Sequence, residues 1–387
     1  MHDNTHQPDE DTVRYKLVTG THTDGSMEES IRLLDVDLPS ESASMAATSV
    51  DPDATVPGQV GTYGGYDPKV SQYAAIQVPA EVNKARVCPH NSTLIAAALG
   101  SKAESKSGTF AVYDFTKYSA TDSADKAPTL KLNAHRSEGF GLDWSRARKG
   151  ALATGGNCGL VAVWDVQEAI GKQAETVPVS QSTFHTKAVN SVSWAVEAEQ
   201  VLLSASDDGK VAVWDIRAMD GNQPSAQVAA HDAVHAVACQ PGNEHCFITS
   251  GTGGVIKLWD SRKLEDCVHT FVGHAAEVYA LSWMPCASTV FASAGQDRRV
   301  HVWDLSRIGA ELSPEDLEDG PPELMFVHGG HTHAVSDVAW HPTEPWMAAS
   351  VDAGNVLQVW QIAEAIYAED DEDEEADVAP PAAEDLE

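Results

Sequence analysis

Between residues 81 and 360 apolar and polar positions alternate in short runs, broken by Gly, Asp, Asn and Ser. This period of two predicts half-buried strands separated by tight turns. One stretch shows the grammar in full. Val189-Asn190-Ser191-Val192-Ser193-Trp194 reads as a first strand and Leu202-Leu203-Ser204-Ala205-Ser206 as a second. The polar turn Asp207-Asp208-Gly209 follows, and then Val211-Ala212-Val213-Trp214 as a third strand. Upstream, residues 15–21, 31–36 and 71–78 read as three more strands, with a Ser/Ala/Pro/Gly-rich exposed loop at 39–65. After Trp360, residues 361–367 have the apolar spacing of a short docked helix.

The unit repeats. It ends in Val163-Trp164-Asp165, Val213-Trp214-Asp215, Leu258-Trp259-Asp260 and Val302-Trp303-Asp304. A weaker copy ends in Val112-Tyr113-Asp114 and the last in Val359-Trp360-Gln361. The aromatic positions are separated by 51, 50, 45, 44 and 57 residues, and a His opens five of the units: His135, His185, His231, His274 and His331. A period of roughly 40–50 residues closing on Trp-Asp is the signature of a WD-repeat propeller. The expected fold is therefore all-β: a seven-bladed β-propeller with six clear repeats and a partial N-terminal blade. A short C-terminal helix and an acidic disordered tail complete it. The expected divisions are a polar segment at 1–14, the propeller at 15–367 and the tail at 368–387.

In two repeats an aspartate stands six residues before the Trp, Asp208 and Asp297. With His185 and Ser206, or His274 and Ser293, these are expected to form a buried His–Ser–Asp–Trp network. The same residue types make a hydrolase triad, but a nucleophile would not be duplicated at propeller spacing, so no enzyme is expected. The other repeats have Cys158, Gly253 and Gly354 at the aspartate's place and are expected to hold their turns by other bonds.

Charge narrows the choice of partner. The net charge is -33, and the eleven acidic residues of 369–387 account for only a third of it. Such a surface repels nucleic acid and attracts basic protein. No apolar run has transmembrane length, which argues against a membrane partner. The six cysteines form no Cys-x-x-Cys pair, which suits free thiols and predicts neither a disulfide framework nor a metal site. No cofactor is expected.

The interval of 57 residues holds an insertion, Glu311-Leu312-Ser313-Pro314-Glu315-Asp316-Leu317-Glu318-Asp319-Gly320-Pro321-Pro322-Glu323-Leu324, with six carboxylates and no basic residue. This block, with Phe326, His328-Gly329-Gly330-His331-Thr332, Glu344-Pro345-Trp346 and Gln358-Val359-Trp360-Gln361, resembles the retinoblastoma-binding, chromatin-assembly-factor small-subunit family of WD-repeat histone-binding proteins. Gly20-Thr21-His22-Thr23, Glu81-Val82-Asn83 and Asp297-Arg298-Arg299 also match it.

The resemblance implies a nuclear (and also cytoplasmic) histone chaperone and scaffold with two sites. In the first, Asp316, Asp319, Gly320, Pro321, Pro322, Glu323 and Leu324, with Ile366, form one wall of a groove for a basic amphipathic histone helix. In the second, Glu81, Asn83, Glu138, Phe140, Glu277 and Tyr279 receive a histone tail on the propeller rim, aromatic faces holding an arginine between carboxylates. The implied partners are core histones and the subunits of chromatin-assembly, acetyltransferase, deacetylase or Polycomb-type complexes. The chain departs from the family's pattern at Asn190, at the shortened Ala233-Val234-His235, at Ala334 and at Ala353. It also lacks, before Tyr15, the long helix expected as the groove's second wall; either an upstream segment supplies it or this chain has lost it. A different role is a substrate receptor of a cullin ubiquitin ligase, because Trp214-Asp215-Ile216-Arg217 and Trp259-Asp260-Ser261-Arg262 fit a Trp-Asp-x-Arg box, with Arg217 and Arg262 as the contacts.

Overall fold

Alternating strands with both faces apolar must be covered on both sides, and the chain solves this by packing sheet on sheet. The computed structural model describes residues 12–23, 28–39, 69–101, 109–118, 127–172, 176–313 and 320–367. Seven antiparallel sheets form, each a meander of strands in chain order. The first holds β1 (Thr12–Gly20), β2 (Ser30–Pro39) and β3 (Lys69–Gln77). The second holds β4 (Val82–Cys88), β5 (Asn91–Leu99), β6 (Thr109–Asp114) and β7 (Leu130–Leu132). The third holds β8 (Gly141–Trp144), β9 (Ala151–Gly155), β10 (Val161–Asp165) and β11 (Ser180–Ser182). In the fourth are β12 (Val189–Trp194), β13 (Val201–Ser206), β14 (Lys210–Asp215) and β15 (Ala226–Ala229). In the fifth are β16 (Val234–Cys239), β17 (Cys246–Gly251), β18 (Val255–Asp260) and β19 (His269–Val272). The sixth has β20 (Val278–Trp283), β21 (Val290–Gly295), β22 (Val300–Asp304) and β23 (Leu324–His328). The seventh has β24 (Val335–Trp340), β25 (Met347–Asp352) and β26 (Leu357–Gln361). Two short α-helices are present among the described residues, α1 (Val166–Lys172) and α2 (Glu364–Tyr367).

The fold is a seven-bladed WD-repeat β-propeller, as the repeat period predicts. The partial first blade is a three-stranded sheet that begins at Thr12, three residues before the expected boundary. The seventh sheet also has three strands. The expected loop at 39–65, the segment ahead of Thr12 and the tail lie almost wholly outside the described residues.

The chain divides into two compact units, Met1–Thr252 with Ile256–Thr270, and Gly253–Val255 with Phe271–Glu387. Within the first unit one apolar layer joins the second and third sheets through Leu94, Val112, Trp144, Leu152 and Trp164. The next joins the third and fourth through Val161, Val163, Trp194, Leu202 and Trp214. Along β9 the odd and even residues therefore serve different layers, Ala151 and Ala153 one, Leu152 the other. In the second unit Ala292, Val302, Val338, Trp340 and Trp360 form the equivalent layer.

Each Trp of a repeat ending anchors a buried polar chain. In the fourth sheet the Trp214 indole N–H donates to Ser204 Oγ at 2.8 Å, and Ser204 Oγ lies 2.7 Å from His185 Nε2. His185 Nδ1 lies 3.0 Å from Asp208 Oδ2. The sixth sheet repeats this with Trp303, Ser293, His274 and Asp297. The serine of the fourth sheet is thus Ser204, not Ser206. Both face the same way on β13, so spacing alone does not separate them. Ser206 instead accepts the Asp208 N–H at 3.1 Å and braces the turn.

The seventh sheet corrects a second expectation. Gly354 occupies the turn, yet His331 has a carboxylate: Asp352 Oδ2 lies 3.1 Å from its Nδ1. Asp352 ends β25, and its other oxygen accepts the N–H groups of Gly354 and Val356. In the third and fifth sheets a threonine replaces the serine, Thr154 and Thr249, and there is no carboxylate. Ser204→Ala strands a buried indole N–H and a buried imidazole nitrogen and should cost about 2–4 kcal/mol. Ser206→Ala should cost about 1 kcal/mol. Urea unfolding of the two variants distinguishes them, and equal losses would contradict this assignment.

Candidate functional site

The structure shows what the candidate rim residues share. In six sheets the backbone carbonyl at the turn that opens the repeat accepts an N–H from just beyond the second strand. The pairs are Glu81 with Gly100 (2.7 Å), Glu138 with Asn157 (2.8 Å) and Ala188 with Asp207 (3.0 Å). Ala233 with Thr252 (3.3 Å), Glu277 with Gln296 (2.8 Å) and Ala334 with Ala353 (2.9 Å) complete them. The position is thus a carboxylate in three repeats and alanine in three. Two residues later the ladder skips one residue: Asn83, Asn190, His235, Tyr279 and Ser336 are bulged out of register. Phe140 stands at the corresponding place just before β8. A bulge releases a side chain from the pleat and re-aims it.

Within the first unit four candidate residues come together. Glu81 and Glu138 flank Gly100: a Cβ there would lie 3.5 Å from the Glu81 Cβ and 3.6 Å from Glu138 Oε2. Glu138 Oε2 accepts the Ser101 N–H at 2.9 Å, and Asn83 donates to the Gly139 carbonyl at 3.3 Å. Gly139 is required by proximity, since a Cβ would meet the Gly155 carbonyl at 2.3 Å. Phe140 beside it is 41% exposed. Sequence reasoning passed over two residues that stand beside candidate positions. His22 Nε2 lies 3.6 Å from Glu81. Asp207 accepts a hydrogen bond from Asn190 at 2.6 Å, so a carboxylate stands beside the asparagine that departs from the family pattern. The backbone pairing of Asp207 with Ala188 was the signal, and it is not visible in linear spacing.

In the second unit the Tyr279 hydroxyl lies 3.4 Å from Glu277 Oε2, and burial together with that carboxylate raises the phenol pKa. The insertion is partly defined. Asp316 and Asp319 lie outside the described residues. Gly320 has φ +143°, a backbone state that favours glycine, and the Leu324 N–H closes a turn on the Pro321 carbonyl at 2.9 Å. Pro322 fits the second place of that turn. Glu323 is only 5% exposed, so its carboxylate does not face solvent as an open ion-pairing group. Leu324 and Ile366 are half-buried, and Ile366 of α2 packs on the core cluster of its unit.

Arg217 and Arg262 are both exposed, with side chains 70% and 65% accessible. Each folds back on the aspartate two residues earlier, Nη2 to carboxylate at 2.5 and 2.6 Å. The guanidinium hydrogen bonds hold the Asp215 and Asp260 carboxyls down at about 2. The His–Ser–Asp sets, in contrast, are closed. His185, His274 and His331 have fully buried side chains with both ring nitrogens engaged. These three sets serve the fold.

Residues 177–215, 222–260, 265–304 and 322–361 each match the family described as WD domain, G-beta repeat. The chain is similar to the WD40 β-propeller domain of Doa1, with 16% identity and a TM-score of 0.60, over 94% of this chain and 93% of that one. It is also similar to a chain in the crystal structure of a mitotic checkpoint complex, with 21% identity and a TM-score of 0.54, over 73% of this chain and 76% of that one. At such identities the likeness shows the fold alone, that of a WD40 β-propeller.

Burial lowers the pKa of His135 to about 4, and burial reinforced by the Lys257 charge does the same for His231. The folded state therefore resists protons that the unfolded chain takes up near pH 6.5. Their stabilising contribution is complete above that pH and is lost as pH falls toward 4. For the fully buried His135 the loss should reach about 2 kcal/mol by pH 5. Denaturant midpoints measured between pH 7.5 and 5 should fall, and a flat profile would contradict this.

Proposed function

We propose that this chain is a non-catalytic histone-binding scaffold, acting in the nucleus as a subunit of chromatin-assembly or histone-modifying complexes. The observation that carries the reading is the pairing of Glu81 and Glu138 across Gly100, with the exposed Phe140 ring beside them. Carboxylates take guanidinium or ammonium N–H groups, and an aromatic face accepts the cation from the side. An arginine or lysine in an extended basic tail fits that set. The net charge of -33 supports it by drawing basic segments toward the surface. The Pro-Pro turn at 320–324 supports a second contact, for a basic amphipathic helix, with the turn preorganised by Gly320 and the closing bond of Leu324.

Core histones should be retained by the full chain at physiological salt. Glu81→Ala with Glu138→Ala should weaken binding of a histone-tail peptide by about tenfold or more, and Phe140→Ala by a smaller factor. Fluorescence anisotropy at two salt concentrations measures both. Unaltered binding in the double variant would exclude the rim, and absence of any histone affinity would exclude the function.

One observation favours a second reading, a substrate receptor of a cullin ubiquitin ligase. Arg217 and Arg262 adopt the same forked pose on consecutive repeats and remain exposed. Arg217→Ala with Arg262→Ala should then abolish co-purification with the ligase adaptor while leaving histone binding intact. Unchanged ligase association would remove this reading.

A further inference from the structure

His301 is the residue the fold leaves unexplained. It lies on β22, two positions before Trp303, and is 3% exposed. The same place is Ala162 in the third sheet and Ala212 in the fourth. In the fifth it is Lys257, whose ammonium reaches the Ala230 carbonyl at 2.7 Å. In the seventh it is Gln358, which bonds His328 and the Gly330 carbonyl. His301 alone among these polar residues has neither ring nitrogen hydrogen-bonded. A buried polar group without a partner costs about 1–3 kcal/mol and calls for an explanation, such as an ion.

Its surroundings supply donors. The His301 ring stacks on the His274 ring, with centroids 3.8 Å apart and planes 12° from parallel. His274 Nδ1 lies 2.8 Å from Asp297 Oδ2. One ligand atom from each of His274, Asp297 and His301 falls within 4.8 Å of the others, the one such group of three among the described residues. Imidazole and carboxylate are the donors that suit zinc-like divalent ions. We propose that His274, Asp297 and His301 form a site for a divalent transition-metal ion of this class.

The chemistry balances. With His274 neutral, the ion takes the place of the proton between Nδ1 and Asp297, and that proton moves to Nε2, so the ion binds without net loss of a proton. His274 then donates from Nε2 to Ser293 Oγ, which already accepts from Trp303. The serine proton turns to a strand carbonyl, as Thr154 Oγ1 does toward the Ala162 carbonyl at 3.4 Å in the third sheet. Parallel rings do not aim their lone pairs at one point, so one ring must turn. His301 has no hydrogen bond to give up. Asp297 stands at the turn with its side chain 6% accessible and that of His274 fully buried, so the turn must open for the ion to enter and for a solvent molecule to take the fourth position.

The test uses the full chain with cobalt(II) and zinc(II) as probes. Cobalt should give the intense visible absorption of a four-coordinate ion, and zinc should displace it. His301→Ala restores the residue that two sister repeats carry, so the variant should fold, and circular dichroism checks that it does. Calorimetry should show zinc affinity lowered at least about tenfold in this variant and in Asp297→Asn. Should the alanine variant not fold, His301→Lys, the residue of the fifth sheet, is read the same way. Lack of the cobalt band in the wild-type chain overturns the proposal. So does equal zinc affinity in wild type and variant, which would place binding on the other histidines.

Discussion

The structure depends on one buried hydrogen-bond chain, repeated with variation. A Trp indole N–H donates to a serine or threonine hydroxyl, which meets a histidine ring, in five of the sheets. Each indole bond crosses between two strands that the backbone ladder already pairs, so the chain fixes side-chain depth as well as register. In a stack of apolar sheets such bonds are strong and hard to replace, because a stranded partner has no water to turn to. The Trp also fills the space between sheets. One residue thus ties apolar packing to polar specificity.

The same chain sets the surface. Where the aspartate stands at the turn it accepts not only from the histidine but from the N–H of the next residue, Thr186 for Asp208 and Ala275 for Asp297. That residue lies two before Ala188 and Glu277, the positions that open each repeat. In the third sheet Cys158 stands in the aspartate's place. Burial would raise its thiol pKa, but hydrogen bonds led by the N–H groups of Arg136 and Leu160 outweigh burial and lower it. Arg136 precedes Glu138 by the same two residues. Interior bonding therefore reaches the rim carboxylates through two or three residues of backbone.

The repeat period and the Trp endings made the blades legible, because alternation survives any change of surface residue. Three things were not legible, each for a physical reason. Ser204 and Ser206 share a face of one strand, and only pairing of Ser204 with Ala212 across β13 and β14 selects between them. Asp352 reaches His331 from the end of a strand, where a turn with Asn355 at φ 65° lets its second oxygen cap two N–H groups. Glu323 sits in a run of carboxylates that reads as solvent-facing, yet it follows two prolines into the start of β23 and is buried there. Charge patterning describes a loop and cannot say where the loop becomes a strand.

The rim itself is uneven, and that unevenness carries meaning. In the first unit the carboxylates of the second and third repeats, Glu81 and Glu138, share a neighbourhood around Gly100, while the fourth and fifth have Ala188 and Ala233. Asp207 returns one negative charge to the fourth, already engaged with Asn190. The bulge that re-aims a side chain is present in the second, fourth and fifth sheets, so the backbone keeps the geometry of a site where the chemistry has changed. The basic ligand we propose would then be drawn by the net charge of the whole molecule but held at one sector. Attraction is general, because screened charges add over a surface. Selection is local, because only paired carboxylates beside an exposed ring match the fork and the flat face of an arginine.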